Sequence, residues 1–379
     1  MKDLALYIHI PFCKQKCLYC DFCSFQNKDD LIDTYIKCLC LEIKSYKEKV
    51  KDHIAETIYI GGGTPSYIEP KNIEEIIKCV RENFLVDDDI EFTIEVNPGT
   101  VNENKFDIYK KIGINRISFG VQSSFDDMLK SIGRIHTYNE FLNNYKLARE
   151  KGFNNISVDL IFGLPNQTIS MWEKTLDEIL KLKPNHISCY SLKVEENTPF
   201  FKLQKEGKLI LPSEEVEREM YHLCINKLRD NGYNQYEISN FSLPGFESKH
   251  NLVYWKRKDY LGLGLNAASC IENTRFSNEV DINKYIDKIN NNENVVIFNE
   301  ELDEKEILKE KIMLNLRLNE GLNLNEILVK LNKDEQENFL TNVNYLMDLG
   351  LISKEENKIK LTVKGIDVSN QIFIKLMEV

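Results

Sequence analysis

Short apolar runs separated by longer amphipathic stretches dominate the first half of the chain. The β-rich runs fall at residues 4–10, 57–60, 91–96, 116–120, 157–162 and 186–192. Helical periodicity is found at 31–49, 71–84, 138–151 and 170–182. In the second of these helices, for example, Ile73, Ile76, Ile77 and Val80 recur at three- and four-residue spacing. Strands that alternate with helices in this way predict parallel βαβ units.

The fold class that follows is α/β, with a parallel βα barrel, complete or partial, as the simplest right-handed arrangement. The rhythm changes after about residue 200, and from about 303 the order of helix, turn, two helices, hairpin and final helix suits a small winged-helix-like module. We therefore predict three segments: a core barrel at 1–235, an extension at 236–300 and a C-terminal module at 301–379.

Polar residues and glycines stand at the carboxyl end of each predicted strand. They are Tyr7 and His9, Gly61 to Thr64, Glu95 and Asn97, Gly120 and Gln122, Asp159 and Gly163, and Tyr190 and Ser191. Each can be explained by turn chemistry or helix capping. In βα barrels, however, these strand ends line the active site, so we expect one shared site.

Composition and charge narrow the range of functions. Of the 379 residues, 49 are Lys or Arg and 60 are Asp or Glu, giving a net charge of −11. This balance argues against a broad nucleic-acid footprint, and the charge of the C-terminal module is itself mixed rather than strongly basic. No apolar run reaches the roughly 18 residues of a membrane span, and no signal-peptide layout opens the chain. We expect a cytoplasmic protein without a transmembrane segment.

The cysteines crowd toward the N-terminus, where Cys13, Cys17 and Cys20 follow the first predicted strand at spacings x3 and x2. In a reducing compartment a tight group of this kind indicates metal ligation. Soft thiolates select iron–sulfur clusters, zinc or copper(I), and three ligands would leave one iron of a cubane open. Zinc with Cys23 or His9, and a closed cluster with Cys23, are the alternatives. We expect the remaining six cysteines to be small buried hydrophobic residues.

The cysteine loop and five phrases along the chain carry a family resemblance. YIHIPFC, YIGGGTPS, IEVNPG, RISFGVQS and VDLIFGLPNQT resemble the radical S-adenosylmethionine superfamily, and within it the oxygen-independent coproporphyrinogen III oxidase group with its heme chaperone branch. The resemblance implies a [4Fe-4S] cluster on Cys13, Cys17 and Cys20, with S-adenosylmethionine on the open iron. It also implies cofactor contacts at Tyr7, Tyr19, Gly62, Gly63, Thr64, Glu95, Gln122, Arg134 and Asp159.

A second motif separates the two branches of this group. The sequence from His250 to Trp255, H-N-x-x-Y-W, resembles the heme-binding signature of the chaperone branch, which makes His250 the expected iron ligand. The basic residues Lys249, Lys256, Arg257 and Lys258 are candidates for pairing with heme propionates. The oxidase branch carries C-x-C after the third ligand, whereas Asp21 and Phe22 follow Cys20 here.

The resemblance therefore implies a heme chaperone that passes heme to an apo-hemoprotein acceptor, a respiratory one by expectation. Peripheral membrane association through that partner is compatible with this function. The alternative is an oxygen-independent coproporphyrinogen III oxidase, a radical enzyme that oxidatively decarboxylates two propionates to vinyl groups.

Overall fold

The structure is a computed structural model and describes residues 1–378. Its strands are β1 (Lys2–Ile10), β2 (His53–Gly62), β3 (Val86–Val96), β4 (Arg116–Gln122), β5 (Asn155–Phe162), β6 (His186–Ser191), β7 (Asn234–Gln235), β8 (Asn240–Ser242), β9 (Tyr260–Leu263), β10 (Ala268–Ile271), β11 (Thr274–Asn278), β12 (Val296–Glu301), β13 (Leu322–Asn323), β14 (Ile352–Glu355) and β15 (Lys358–Leu361). All six predicted strands are present.

The helices are α1 (Ile32–Ser45), α2 (Pro70–Asn83), α3 (Glu103–Lys111), α4 (Asp126–Ser131), α5 (Tyr138–Glu150), α6 (Ile169–Leu182), α7 (Pro199–Lys205), α8 (Glu214–Asp230), α9 (Lys249–Trp255), α10 (Ile282–Asn290), α11 (Glu304–Asn315), α12 (Leu324–Leu328), α13 (Lys333–Asp348), α14 (Val363–Asp367) and α15 (Ser369–Leu376). The four helices predicted from periodicity correspond to α1, α2, α5 and α6. Three of them agree within one residue at each end, while α1 ends four residues early.

Strands β1 to β6 pair in sequence order and in parallel, which forms the core of one large sheet. The sheet has the order β12-β11-β10-β9-β1-β2-β3-β4-β5-β6-β8-β7. Strand β9 joins β1 in parallel, and the outer strands pair antiparallel. Within the described residues the two edge strands do not pair with each other. The expected partial βα barrel is therefore confirmed, as an open sheet.

The parallel strands are buried on both faces, and the two faces differ in chemistry. One face carries apolar side chains such as Ile58, Ile117 and Ile187, which pack in the core with the surrounding helices. The alternate positions carry polar side chains such as Ser118 and Ser188, which line an internal cavity. Because side chains alternate across a strand, each strand supplies both the core and the cavity.

The C-terminal module has its own small core. Helices α11, α13 and α15 pack around Ile312, Phe339 and Ile372, which are fully buried. The three-stranded sheet has the order β13-β15-β14 and closes one side. This is the predicted winged-helix-like arrangement, with the last helix divided into α14 and α15.

Polar contacts fasten this module to the rest of the chain. The Glu310 carboxylate on α11 accepts from Arg257 Nε at 3.0 Å and also pairs with Arg275. The Arg317 guanidinium lies 5.5 Å from the centre of the Trp255 ring on α9. The strands between residues 236 and 300 extend the large sheet at both edges. The proposed boundaries at residues 235 and 300 stay a prediction.

Among residues 1–378, the helices are all too short or too polar to span a bilayer.

The first testable prediction concerns Glu310. Glu310→Ala should lower the free energy of unfolding by about 1–3 kcal/mol, because it leaves two arginines on the core without their shared partner. Thermal unfolding of the purified chain measures this loss. Glu300→Ala is the matched control, since Glu300 meets the same Arg275 at 3.7 Å on the exposed side. Its effect should stay within about 0.5 kcal/mol. Equal effects of the two substitutions would contradict the fastening role of Glu310.

Candidate functional site

A cavity of about 370 Å³ occupies the interior of the partial barrel. It is lined at one end by the cysteine loop that follows β1 and elsewhere by Asn251 of α9. Eleven of the thirteen residues predicted for the site line it: Cys13, Cys17, Tyr19, Cys20, Gly62, Gly63, Thr64, Glu95, Gln122, Arg134 and Asp159. Tyr7 and His250 lie behind its wall. The parallel strand ends thus meet at one place, as expected.

Backbone hydrogen bonds hold the cysteine loop in place. Cys13 N donates to Phe25 O at 2.9 Å, and Phe25 N donates to Pro11 O at 2.8 Å. Leu18 N donates to Ile132 O at 3.0 Å, which ties the loop to the end of α4. No three His, Cys, Asp or Glu side chains within residues 1–378 are placed to hold a single metal ion.

The remaining cysteines lie away from this end of the cavity. The Cys23 thiol points to Val280 O at 3.6 Å, and its own carbonyl is taken by the His9 ring at 2.8 Å. The six cysteines interpreted as small hydrophobes are all buried, as predicted.

The glycine loop after β2 packs directly against the cysteine loop. Gly63 N donates to Ile10 O and Thr64 N donates to Phe12 O, both at 2.8 Å. A Cβ at Gly63 would lie 2.8 Å from Phe12 O and 2.9 Å from Cys13 Sγ, so only glycine fits. Gly62 has φ +115°, which L side chains rarely adopt. The glycines therefore allow the backbone to reach the thiols.

Arg134 joins the cysteine loop to the strand ends. Its Nη2 donates to Tyr19 OH at 2.9 Å, and its Nη1 donates to Asn97 Oδ1. Gln122 lies beside it at a β-bulge between β4 and β5 and has φ +69°. Non-glycine residues in this conformation are uncommon and occur often at functional sites.

Glu95 is the carboxylate nearest the glycine loop. It accepts from Tyr59 OH at 2.8 Å and from Gly62 N at 3.2 Å. Burial raises the pKa of Glu95 to about 7, although the Tyr59 hydrogen bond favours the charged form. Near neutral pH this group can therefore change its charge when a ligand arrives.

Asp159 lies deeper and is held by two hydroxyl groups. It accepts from Ser188 Oγ at 2.7 Å and from Ser118 Oγ at 2.9 Å. Burial raises the pKa of Asp159, while these hydrogen bonds and the charges of Arg116 and Arg134 oppose the rise. The carboxylate is thus positioned by neighbouring strands rather than by a direct ion pair.

Tyr7 supports the cavity wall from behind. Its hydroxyl meets His9 Nδ1 at 3.0 Å, and His9 Nε2 meets Cys23 O at 2.8 Å. Because a carbonyl only accepts, Nε2 carries the proton and Nδ1 accepts from Tyr7. Burial lowers the pKa of His9 to about 4, so the ring is neutral. This chain of contacts links β1 to the cysteine loop.

His250 lies next to the cavity but is separated from it by Tyr59. Its ring stacks on the Tyr59 ring at a centroid distance of 5.1 Å, and only 1% of the residue is exposed. Nδ1 lies 2.8 Å from Thr57 Oγ1 and Nε2 lies 2.8 Å from Tyr254 OH. Burial, helped by the charge of Arg116, lowers the pKa of His250 to about 3. Both nitrogens are therefore engaged in this conformation.

The four basic residues proposed to pair with propionates all form ion pairs within the chain. The pairs are Lys249–Asp89 at 4.0 Å, Lys256–Glu320 at 3.2 Å, Arg257–Glu310 at 3.0 Å and Lys258–Glu56 at 3.3 Å. Their charges are consequently already compensated.

Several cavity residues were not predicted. The ones that matter most for the site are Tyr59, Arg116, Ser118, His186, Ser188 and Asn251. All but Asn251 stand on β2, β4 or β6 at positions that alternate with core residues. A period-two pattern of polar residues inside otherwise apolar strands was the signal that could have identified them.

The titration of Glu95 gives the second prediction. Its pKa in the folded chain, about 7, is above the ordinary 4.5, so the folded state binds more protons between these values. Stability from this group is therefore lost as pH rises from 4.5 to 7, by up to about 3 kcal/mol.

Denaturant unfolding across this pH range should show a steeper decline for the wild type than for Glu95→Gln. Glu42, whose pKa burial also raises to about 7, is present in both proteins and cancels in the comparison. Parallel pH profiles for the two proteins would show that Glu95 has an ordinary pKa.

The chain matches known families over most of its length. The model of the Radical SAM superfamily matches residues 7–179, and that of the HemN C-terminal domain matches residues 302–368. A solved structure of the coproporphyrinogen III oxidase HemN from Escherichia coli, a radical SAM enzyme, covers 100% of this chain and 90% of its own with a TM-score of 0.87. At 24% sequence identity this likeness shows the fold.

Two curated relatives extend over nearly the whole chain. The heme chaperone HemW of Bacillus subtilis is 37% identical over 97% of this chain and 98% of its own length. The heme chaperone HemW of Lactococcus lactis is 35% identical over 99% and 98%. The resemblance seen in the sequence motifs is thus confirmed: this chain belongs to the heme chaperone HemW family of the radical SAM superfamily.

Proposed function

We propose that this chain is a heme chaperone that binds heme and transfers it to apo-hemoproteins. It carries a [4Fe-4S] cluster on Cys13, Cys17 and Cys20, with S-adenosylmethionine on the open iron. The main observation behind the proposal is that one cavity is lined both by the cysteine loop and by Asn251 of helix α9, which contains the H-N-x-x-Y-W motif. Family membership over nearly the full chain supports it.

The residues present fit the cluster. Three thiols line one end of the cavity, which suits a cubane with three protein ligands and one iron facing the cavity. The Cys23 thiol faces Val280 instead, which supports a cluster held by three cysteines. Gly63 leaves room beside Cys13 where any side chain would collide. When bound, the cluster and S-adenosylmethionine supply an electron and a carbon-centred radical.

The polar residues around the glycine loop fit S-adenosylmethionine. Gly62, Gly63 and Thr64 place the backbone of the glycine loop against Cys13, where it would hold the amino group of S-adenosylmethionine. Glu95 can accept from an ammonium or from ribose hydroxyls once it is ionised. Tyr19 and Tyr7 support this end of the cavity, one from the cysteine loop and one from behind the wall.

Arg134 contacts Tyr19 of the cysteine loop, and Gln122 and Asp159 continue the polar lining of the cavity on β4 and β5. We assign them to the same cofactor or to a second molecule of it.

His250 is the proposed heme ligand. Iron is ligated by neutral imidazole, and the low pKa of this buried ring keeps it neutral at physiological pH. Nε2 is held by the Tyr254 hydroxyl at 2.8 Å, so this hydrogen bond must open before iron can bind. Asn251, the next residue, already lines the cavity.

The acceptor is proposed to be an apo-hemoprotein, and a respiratory one by the family expectation. We also propose that the chain acts in the cytoplasm and reaches membranes only through such a partner. A net charge of −11 gives no basis for nucleic-acid binding. The oxidase alternative lacks its C-x-C signature here, since Phe22 stands where the second cysteine of that signature would be.

The third prediction tests the cluster. Alanine at Cys13, Cys17 or Cys20 should abolish cluster assembly, because two thiolates do not hold a cubane. Cys23→Ala should assemble the cluster as the wild type does. Iron and sulfide content after anaerobic reconstitution measures both effects. Loss of the cluster in Cys23→Ala would instead indicate a closed four-cysteine site.

The fourth prediction tests the heme site by titration with hemin, followed by absorbance. His250→Ala should weaken binding by more than roughly 100-fold, since even residues that only support a metal ligand contribute 10- to 100-fold. Tyr254→Phe should strengthen binding by roughly 3- to 10-fold, because it removes the hydrogen bond that competes for Nε2.

Tyr260→Phe is the matched control. The centre of the Tyr260 ring lies 4.8 Å from that of Tyr254. Tyr254, and not Tyr260, forms the hydrogen bond to His250. Its hemin affinity should equal that of the wild type. Unchanged hemin binding in His250→Ala would remove this residue as the ligand.

A further inference from the structure

Arg116 is a buried cation that lines the cavity. It is the first residue of β4, only 2% of it is exposed, and it pairs in register with Thr93 and Asn155. On the same face of β4, Ser118 and Gly120 also line the cavity. Arg116 therefore lies four residues further from the carboxyl end of β4 than Gly120 does, and so deeper in the barrel.

The Arg116 guanidinium lacks a partner in the part of the chain that the structure describes. Its Nε is buried and makes no hydrogen bond, and no carboxylate of residues 1–378 forms an ion pair with it. Arg134, the other arginine of the cavity, also has a buried Nε without a hydrogen bond, but its two Nη atoms donate to Tyr19 and Asn97. A buried charge without a partner is costly, so such groups are normally paired or hydrogen-bonded.

The polar neighbours of Arg116 are already satisfied by one another. Asp159 accepts from Ser118 and Ser188. His186 Nδ1 meets Ser157 Oγ at 2.8 Å, and its Nε2 meets Tyr236 OH at 2.9 Å. Burial and the charge of Arg116 hold the pKa of His186 well below its ordinary value, so this ring adds no charge. The cavity is therefore the side from which a ligand can supply a direct partner to Arg116.

The structure assigns Arg116 as a carboxylate-binding residue for the ligand in this cavity, and we propose that the carboxylate is a porphyrin propionate. The choice of propionate rests on the proposed heme function. A guanidinium presents a planar fork that matches a carboxylate with two parallel hydrogen bonds.

Two observations favour a propionate over the carboxylate of S-adenosylmethionine. The Tyr59 ring, which lines the cavity, stacks on His250, so the cavity wall near the proposed iron ligand is aromatic and flat. The basic residues beside α9 that might otherwise hold a propionate are already in ion pairs. Arg116 thus has unused hydrogen-bond donors for an acidic ligand there, and Asp159 acts on it only through its charge and not through a direct ion pair.

The test compares hemin with hemin dimethyl ester, which lacks both carboxylates, using the full chain with its cluster reconstituted. Arg116→Gln should weaken hemin binding by roughly 10- to 100-fold, the range of a charged hydrogen-bonded contact, and leave binding of the ester unchanged. The wild type should prefer hemin to its ester by a similar factor. The hemin affinity of Arg116→Lys should fall between those of the wild type and Arg116→Gln, because lysine keeps the positive charge but lacks the planar guanidinium.

Arg229→Gln, an exposed arginine on α8, is the control for the substitution itself and should bind hemin as the wild type does. S-adenosylmethionine binding is measured in the same set of proteins. If Arg116→Gln fails to fold, the preference of the wild type for hemin over the ester carries the test.

Equal hemin binding by wild type and Arg116→Gln, or equal binding of hemin and ester by the wild type, overturns the inference alone. Weaker S-adenosylmethionine binding with unchanged hemin binding overturns the propionate and identifies the cofactor as the source of the carboxylate. If the wild type binds no hemin at all, the proposed function fails, and the propionate assignment fails with it.

Discussion

The rest of the structure depends on the parallel pairing of β1 to β6 with polar side chains turned inward. The strands are buried on both faces, so every inward polar group must find a partner within the barrel or in a ligand. Most find one across a neighbouring strand: Tyr59 pairs with Glu95, and Ser118 and Ser188 with Asp159. These closed pairs fix the shape of the cavity.

The same constraint identifies the groups that remain for a ligand. Among the cavity groups of residues 1–378, the three thiols at the cysteine loop and the guanidinium of Arg116 form no ion pair within the chain. The thiols suit an iron–sulfur cluster, and the guanidinium suits a carboxylate. A chaperone that holds a cluster and carries heme needs both kinds of site, and here they share one cavity.

The sequence predicted the strands and helices of the core because their signals are local. The apolar face of α2 and the run from Ile8 to Cys13 are each formed by residues that are close together in the sequence. The pairing of β9 with β1 could not be predicted, since Tyr260–Leu263 is short, contains Gly262 and joins a strand about 250 residues away. The antiparallel strands β10 to β12 follow from that placement.

Prediction of the site was limited in the same way. The spacing of Cys13, Cys17 and Cys20 is a local signal with a specific chemistry, so the sequence alone predicts a cluster site there. Arg116 was missed because an arginine at the start of a strand looks like a surface residue until the register places it inside. The sequence of α9 suggested His250 as a ligand, but only the structure shows that Thr57 and Tyr254 engage both of its nitrogens.

The central claim is that the cavity carries heme and does not decarboxylate a porphyrinogen. The most direct measurement mixes the anaerobically reconstituted chain and S-adenosylmethionine with either hemin or coproporphyrinogen III, and follows absorbance and carbon dioxide. The account predicts stoichiometric hemin binding and no carbon dioxide above the background without protein. Carbon dioxide release from coproporphyrinogen III without specific hemin binding would contradict it and would establish the oxidase instead.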